Sequence, residues 1–197
     1  EESSYRQSRY MPNVGGAGLD AAVVRGFDSL KARGHRGRIL YVLSLIATFF
    51  GYRSTGMRIW VDDKQVINDL VLRTSVGIGK YSGGGMMQTP EAVADDGLFD
   101  LTVISKIRWY QVPKALKCLF NGGIYTLPQI NLYRGAKVRI ESSPEVPIEI
   151  DGGQLGTTPV EYSILHRAVQ VVVSERFLQG ELKRHPRPRS RYGVLTK

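Results

Sequence analysis

Apolar and polar positions divide the chain into an early part that carries helices and a last third made of strand after strand. Arg38 to Tyr52 is apolar around most of its circumference, which predicts a helix buried on several sides. Met57 to Val61 (MRIWV) alternates, Asp62-Asp63-Lys64-Gln65 is a polar turn, and Val66 to Ser75 continues as a second strand, so a β-hairpin is expected. Asp100 to Ser105 predicts a short strand, and Trp109 to Phe120 a helix with Pro113 in or near its first turn. Beyond these, Lys137 to Glu141, Val146 to Asp151, Val160 to Leu165 and Ala168 to Val173 read as strands separated by Pro, Gly and Ser. Strands this closely spaced, with two or three interposed helices, predict a mainly β fold, a β-sandwich. No repeat and no linker divides the first 180 residues. The expected organisation is therefore one domain over 1–180 and a basic, flexible tail over 181–197.

Composition changes this picture in two places. The 197 residues carry 27 Lys+Arg against 18 Asp+Glu, a formal charge of +9, and 22 glycines, about 11% against a usual ~7%. Six of the basic residues and no acid fall in Lys183 to Lys197, so the body is only mildly basic. That tail reads as an extended arm suited to an anionic membrane surface, with nucleic acid the less favoured partner. The single Cys118 rules out an internal disulfide and fits a reducing cytoplasm. The longest apolar run, Ile39 to Phe50, has 12 residues, short of the ~18 a spanning helix needs. The acidic, polar start Glu1-Glu2-Ser3-Ser4 is no signal peptide, and Glu1 is no natural initiator, so a fragment of a longer protein is expected.

Several motifs carry candidate chemistry. Gly16-Ala17-Gly18-Leu19-Asp20-Ala21 matches a G-x-G-x-x-A dinucleotide pattern after a plausible strand at Met11 to Val14. The acidic residue such a site needs about 20 residues on is missing, because Gly34-His35-Arg36-Gly37-Arg38 stands there. Gly79-Lys80 is followed by Tyr81, which excludes a P-loop. His35, His166 and His185 lie far apart in the chain, with no ligand spacing for zinc. Asp95-Asp96-Gly97-Leu98 reads either as an Asx turn or as a donor set for a hard cation. Ile148 to Gln154 reads either as an Asp-Gly hairpin turn or as a turn that aims Asp151 at a cleft as a proton acceptor.

Taken in order, four stretches are more specific than any one of them. They are Asn13 to Ala21 (NVGGAGLDA), Ser75 to Met86 (SVGIGKYSGGGM), Thr89 to Asp100 (TPEAVADDGLFD) and Ile150-Asp151-Gly152. On these the chain resembles the C-terminal domain of the diacylglycerol kinase-like lipid kinases, which include bacterial diacylglycerol kinases and sphingosine kinases, over roughly Asn13 to Val173. The resemblance implies the C-terminal, β-sandwich lobe of a two-lobed enzyme. The other lobe carries a Gly-Gly-Asp-Gly-Thr nucleotide motif, which occurs nowhere in this chain, so ATP is expected to bind mainly outside it and the fragment to be inactive alone. It further implies a structural Mg²⁺ held by the Asp96 carboxylate and the carbonyls of Val93 and Leu98. A family Asp-Gly-Glu sequence associated with the general base is matched by Asp151 and Gly152, but Gly153 replaces the glutamate and Ile78 stands where many relatives have Asn.

The implied activity is transfer of the ATP γ-phosphate to a lipid hydroxyl, with Asp151 as base, in phospholipid metabolism. The implied partners are the lipid, an anionic membrane surface, the nucleotide lobe of the same protein and, as an open matter, a second copy. The implied location is the cytoplasm, with peripheral membrane association. The alternative is a non-catalytic lipid- or partner-binding β-sandwich that kept the scaffold and lost the chemistry. The apolar Ile39 to Phe50 segment serves either as a wall of a lipid cleft or as a plain core helix.

Overall fold

The computed structural model describes residues 8–19, 21–23, 38–172 and 174–175. The chain divides into two compact units, Glu1–His166 and Arg167–Lys197. The strands and helices named below all lie in the first. Its strands are β1 (Val14–Gly18), β2 (Thr55–Val61), β3 (Lys64–Val71), β4 (Arg73–Gly77), β5 (Tyr81–Ser82), β6 (Met86–Met87), β7 (Phe99–Ile104), β8 (Ile130–Gly135), β9 (Lys137–Ser143), β10 (Pro147–Ile150), β11 (Gly153–Thr157) and β12 (Val160–Ser163). Its helices are α1 (Arg38–Gly51) and α2 (Val112–Asn121), the latter entered through a single 3-10 turn at Trp109–Gln111.

Two antiparallel sheets pack face to face, with orders β11-β10-β1-β4-β7-β8 and β12-β9-β2-β3. Between them lies a core built from both, including Val76, Leu101 and Val103 on one side and Met57, Ile59, Val138 and Ile140 on the other. The opposite face of the six-stranded sheet carries a second core in which Leu19, Leu72 and Ile104 meet Ala115, Cys118 and Leu119 of α2. Helix α2 follows from its sequence: Pro113 sits in the first turn, apolar residues recur on one side, and Gly122 at φ 77° ends it in the left-handed region. The fold is thus the expected mainly β sandwich, with a helical layer over one sheet.

Four expectations change. The glycines of the G-x-G-x-x-A pattern lie inside β1, a buried strand hydrogen-bonded on both sides, rather than in a loop after a strand. Gly15 is there for packing: a Cβ on it would stand 3.0 Å from the Glu149 carbonyl and 3.2 Å from the Tyr162 ring of the facing sheet. The long second strand breaks at Leu72, so β3 stays in one sheet while β4 joins the other. Among the described side chains of helix α1, Leu43 and Phe50 are exposed and Ile46 and Phe49 only half-buried, so that part of it is not buried on several sides. In the second unit, Ala168–Val172 forms no strand: the alternating valines Val169 and Val171 are exposed and pair with no strand among the described residues. The basic tail, 181–197, lies outside the described residues, as do His35 and His185.

Candidate functional site

Antiparallel register brings the four motif stretches to one end of the six-stranded sheet. Asp151 follows β10 and donates its N–H to the Val14 carbonyl at 2.9 Å, Val14 pairs with Gly77, Gly77 with Asp100, and Asp100 with Arg134. A row therefore runs Asp151–Val14–Gly77–Asp100–Arg134 across five neighbouring strand ends. With neighbouring strands about 4.8 Å apart, Asp151 and Asp100 stand about 14 Å from each other in that row. The structure brings Asp151 and Asp96 to the same end of the sheet, and it does not bring them into one cluster.

Asp151 occupies the first position of the two-residue turn joining β10 and β11, with φ of 50° there and 81° at Gly152, the geometry that an Asp-Gly turn between strands favours. Its Oδ1 accepts the Val14 N–H at 3.0 Å, so the side chain is tied to the strand beside its own. Below the turn, the buried Glu149 accepts the Gly152 N–H at 2.9 Å. Gly153 has room for a side chain: a Cβ there would meet the Arg9 guanidinium and the Ile150 carbonyl, both at 3.5 Å. The resemblance implies a glutamate at this position, and the backbone leaves room for one.

The glycine-rich stretch folds back from the same end. Ile78 donates its N–H to the Asn13 carbonyl at 2.9 Å, Asn13 Nδ2 donates to the Tyr81 carbonyl at 3.0 Å, and Thr89 Oγ1 donates to the Gly79 carbonyl at 2.7 Å. A Cβ at Gly77 would fall 2.4 Å from Thr89 Oγ1 and 3.1 Å from the Gly79 carbonyl, so the segment closes only without a side chain there. Gly83, Gly84 and Gly85 all have positive φ, which forms the reversal between β5 and β6 and seats Met86 in the core.

The Asp95-Asp96-Gly97 turn is held by charge. Asp96 Oδ1 accepts the Leu98 N–H at 3.0 Å, and the Val93 carbonyl accepts the Asp96 N–H at 3.3 Å. Arg134 Nη2 donates to Asp96 Oδ2 at 2.5 Å, and its Nε donates to Asp100 Oδ1 at 2.7 Å. Asp100 is 1% exposed. Burial raises its carboxyl above the ordinary carboxylate value, with Arg134 acting against that rise, while its two acidic partners raise Arg134. Magnesium asks for about six oxygens in a near-octahedral array. This turn offers one carboxylate with both oxygens engaged, one of them by a guanidinium that an ion would have to displace. In this arrangement Arg134 supplies the counter-charge to Asp96, and an ion held by Val93, Asp96 and Leu98 would have to displace its guanidinium and complete its shell with water. Among the described residues no group of three or more His, Cys, Asp or Glu is placed to hold a metal.

An apolar cavity lies beneath the helical layer, between Ile46 and Phe49 of α1, Leu19 and Ile104 of the sheet region, and Leu116 and Leu119 of α2. No helix among the described residues is long and apolar enough to cross a membrane.

The sequence profile of the YegS C-terminal NAD kinase beta sandwich-like domain matches residues 13–173. The chain belongs to this family. The YegS C-terminal domain seen here is 27% identical over 154 residues to the diacylglycerol kinase of Mycobacterium tuberculosis (strain CDC 1551 / Oshkosh), covering 75% of this chain and 49% of that protein. It is 24% identical over 166 residues to the "Probable lipid kinase YegS-like" protein of Shewanella frigidimarina (strain NCIMB 400), covering 84% and 53%. Among solved structures, a candidate diacylglycerol kinase from Bacillus anthracis str. Sterne shares the fold at a TM-score of 0.57 and 24% identity, over 79% of this chain and 51% of that one. The chain spans about half the length of the curated relatives it matches.

Within this YegS domain, sequence reasoning missed Arg134, Asp100 and Glu149. Asp100 looked like one polar position in an apolar strand, and Glu149 like one side of a hairpin. The only available signal was an ionisable residue inside a run otherwise predicted as buried, which calls for a partner somewhere in the fold.

Proposed function

We propose that this chain is the acceptor lobe of an ATP-dependent lipid kinase. It presents the hydroxyl of a diacylglycerol-like or sphingoid lipid to ATP·Mg²⁺ held mainly by residues outside the chain. The observation that carries the proposal is the match of residues 13–173 to a family whose curated relatives are named as diacylglycerol and lipid kinases. Two features support it: the apolar cavity under α1 and α2, of the right chemistry for a hydrocarbon chain, and the Asp151 turn at the opposite end of the same sheet, about 15 Å away along the strands.

In the proposed step the lipid hydroxyl oxygen attacks the γ-phosphorus, the bond to the β,γ-bridging oxygen breaks, and ADP leaves. The hydroxyl proton passes to Asp151 Oδ2, while the Val14 N–H keeps Oδ1 fixed. Phosphoryl transfer is mostly positioning and charge stabilisation, so the base contributes modestly and the orientation of the hydroxyl dominates.

Gly153 favours a second reading, a lipid-binding β-sandwich without chemistry, because glycine brings no carboxylate where the resemblance implies one. A lipid-phosphorylation assay on the full native polypeptide separates the two. The kinase reading expects turnover by the unaltered protein, a fall of about 100-fold in kcat for Asp151→Asn, and a gain for Gly153→Glu. Unchanged turnover by Asp151→Asn removes that residue from the mechanism. Tight lipid binding with no phosphorylation by any of the three establishes the second reading.

A further inference from the structure

The segment between β7 and β8 combines three properties. No acidic residue occurs from Leu101 to Ile140, whereas Lys106, Arg108, Lys114 and Lys117 fall within twelve positions of one another. All four of these cations are exposed, and Lys114 and Lys117 stand on the outer side of α2, opposite the buried Ala115, Cys118 and Leu119. Just ahead of α2, Trp109 and Tyr110 are 70% and 54% exposed, packed edge to face with ring centroids 6.0 Å apart. Arg108 Nη1 donates to the Tyr110 hydroxyl at 3.0 Å, which fixes one ring beside a guanidinium. Val112 and Leu116, in the same segment, line the apolar cavity.

A large aromatic side chain gains little from standing in water, and a solvated helix face ordinarily mixes charges of both signs. An uninterrupted cationic face beside an exposed Trp-Tyr pair matches one environment, the boundary of an anionic bilayer. There amphipathic rings sit at headgroup level and each nearby Lys or Arg adds about 1 kcal/mol of attraction. The geometry points to this face, the Trp109 turn with the outer side of α2, as the docking surface of the protein on anionic lipid membranes. Because Val112 and Leu116 of this segment line the apolar cavity, the proposal rests on and deepens the acceptor-lobe reading.

The test uses the full native polypeptide carrying Trp60→Phe, so that Trp109 is the one tryptophan of this chain, with vesicles of phosphatidylcholine alone or in equimolar mixture with phosphatidylglycerol. Trp109 emission is expected to shift to the blue on the mixed vesicles and not on phosphatidylcholine, and added salt reverses the shift. Lys114→Gln/Lys117→Gln is expected to weaken vesicle binding by about 25-fold, at about fivefold for each cation removed, and Lys114→Glu/Lys117→Glu by more. Both pairs lie on an exposed face and leave the melting temperature unchanged. No shift at Trp109, or full binding by the charge-reversed pair, overturns the proposal. Loss of RNA affinity by that pair with vesicle binding intact overturns it in favour of nucleic acid. Loss of turnover on a detergent-dispersed short-chain lipid, with vesicle binding intact, overturns it in favour of contact with another part of the protein. The kinase reading fails separately: vesicle binding as predicted, with no lipid phosphorylated, leaves the docking face standing.

Discussion

The two sheets of the sandwich are built from similar amounts of chain, yet only one carries the candidate site. In the six-stranded sheet every residue of β1, β4 and β7 is buried, because the facing sheet covers one side and the helical layer the other. In the four-stranded sheet the strands alternate: Met57, Ile59 and Val61 point inward, while Arg58 and Arg139 lie over the Trp60 ring on the outer side at 5.8 and 5.5 Å. The difference teaches why polar residues behave unlike one another in the two. On the outer sheet an ion pair such as Arg58–Glu141 is solvated and worth little. On the inner sheet Asp100, Ser75 and Thr102 had to find partners, and doing so fixed the geometry of one sheet end. Thr102 Oγ1 donates to the Gln88 carbonyl at 2.8 Å, Ser75 Oγ accepts from Arg73 Nη2 at 2.6 Å, and Asp100 holds Arg134.

This contrast is easiest to break by substitution in matched pairs. Leu101→Ala, at the centre of the doubly covered sheet, is expected to cost about 3 kcal/mol in urea unfolding, whereas Leu70→Ala on exposed β3 costs under about 0.5 kcal/mol. Equal costs would mean that the core between the two sheets contributes nothing at Leu101. Next in size is the glycine pair. Gly77→Ala forces a Cβ against Thr89 and the Gly79 carbonyl and should cost about 2 kcal/mol, while Gly56→Ala on β2, where the nearest atom is the Ser143 carbonyl at 3.6 Å, is near neutral.

A smaller effect sharpens the electrostatic side. Arg134→Met leaves Asp100 without its main partner and is expected to cost about 1–2 kcal/mol, tempered by the exposure of Arg134. If Arg134 is the cation of the turn, a chelator leaves the melting temperature of the unaltered chain unchanged; a fall on chelation, restored by Mg²⁺, would refute that assignment. The smallest effect is in pH. Asp100 has a raised carboxyl in the folded state, so the native chain binds this proton more tightly than the unfolded one, whose value is about 3.9. Its contribution is fully present below that value and is lost as pH rises through the native one. Asp100→Asn should flatten this portion of the curve of stability against pH, and Arg134→Met should extend it to higher pH.

Much of this was legible in the sequence, for local reasons. Hydrophobic alternation placed β2, β7, β9, β10 and β12 to within a few residues, and Pro113 marked the start of α2. The Asp-Gly turn at Asp151 was visible because it needs backbone angles that few residues adopt. Motif order, not any single motif, identified the family. The errors were equally local. Val66 to Ser75 reads as one strand because its apolar residues run on without a turn signal, and nothing local marks the change of sheet at Leu72.

Only the tertiary structure decided the strand order. It joined Asp151 to Val14 across 137 residues and Arg134 to Asp96 across 38, and so lined up the motif stretches along one sheet end. It also left Trp109 and Tyr110 uncovered. Periodicity records which face of an element is apolar, and that is a property of neighbouring residues. Which element covers that face depends on burying both sides of one sheet at once, and that condition exists only in the assembled molecule.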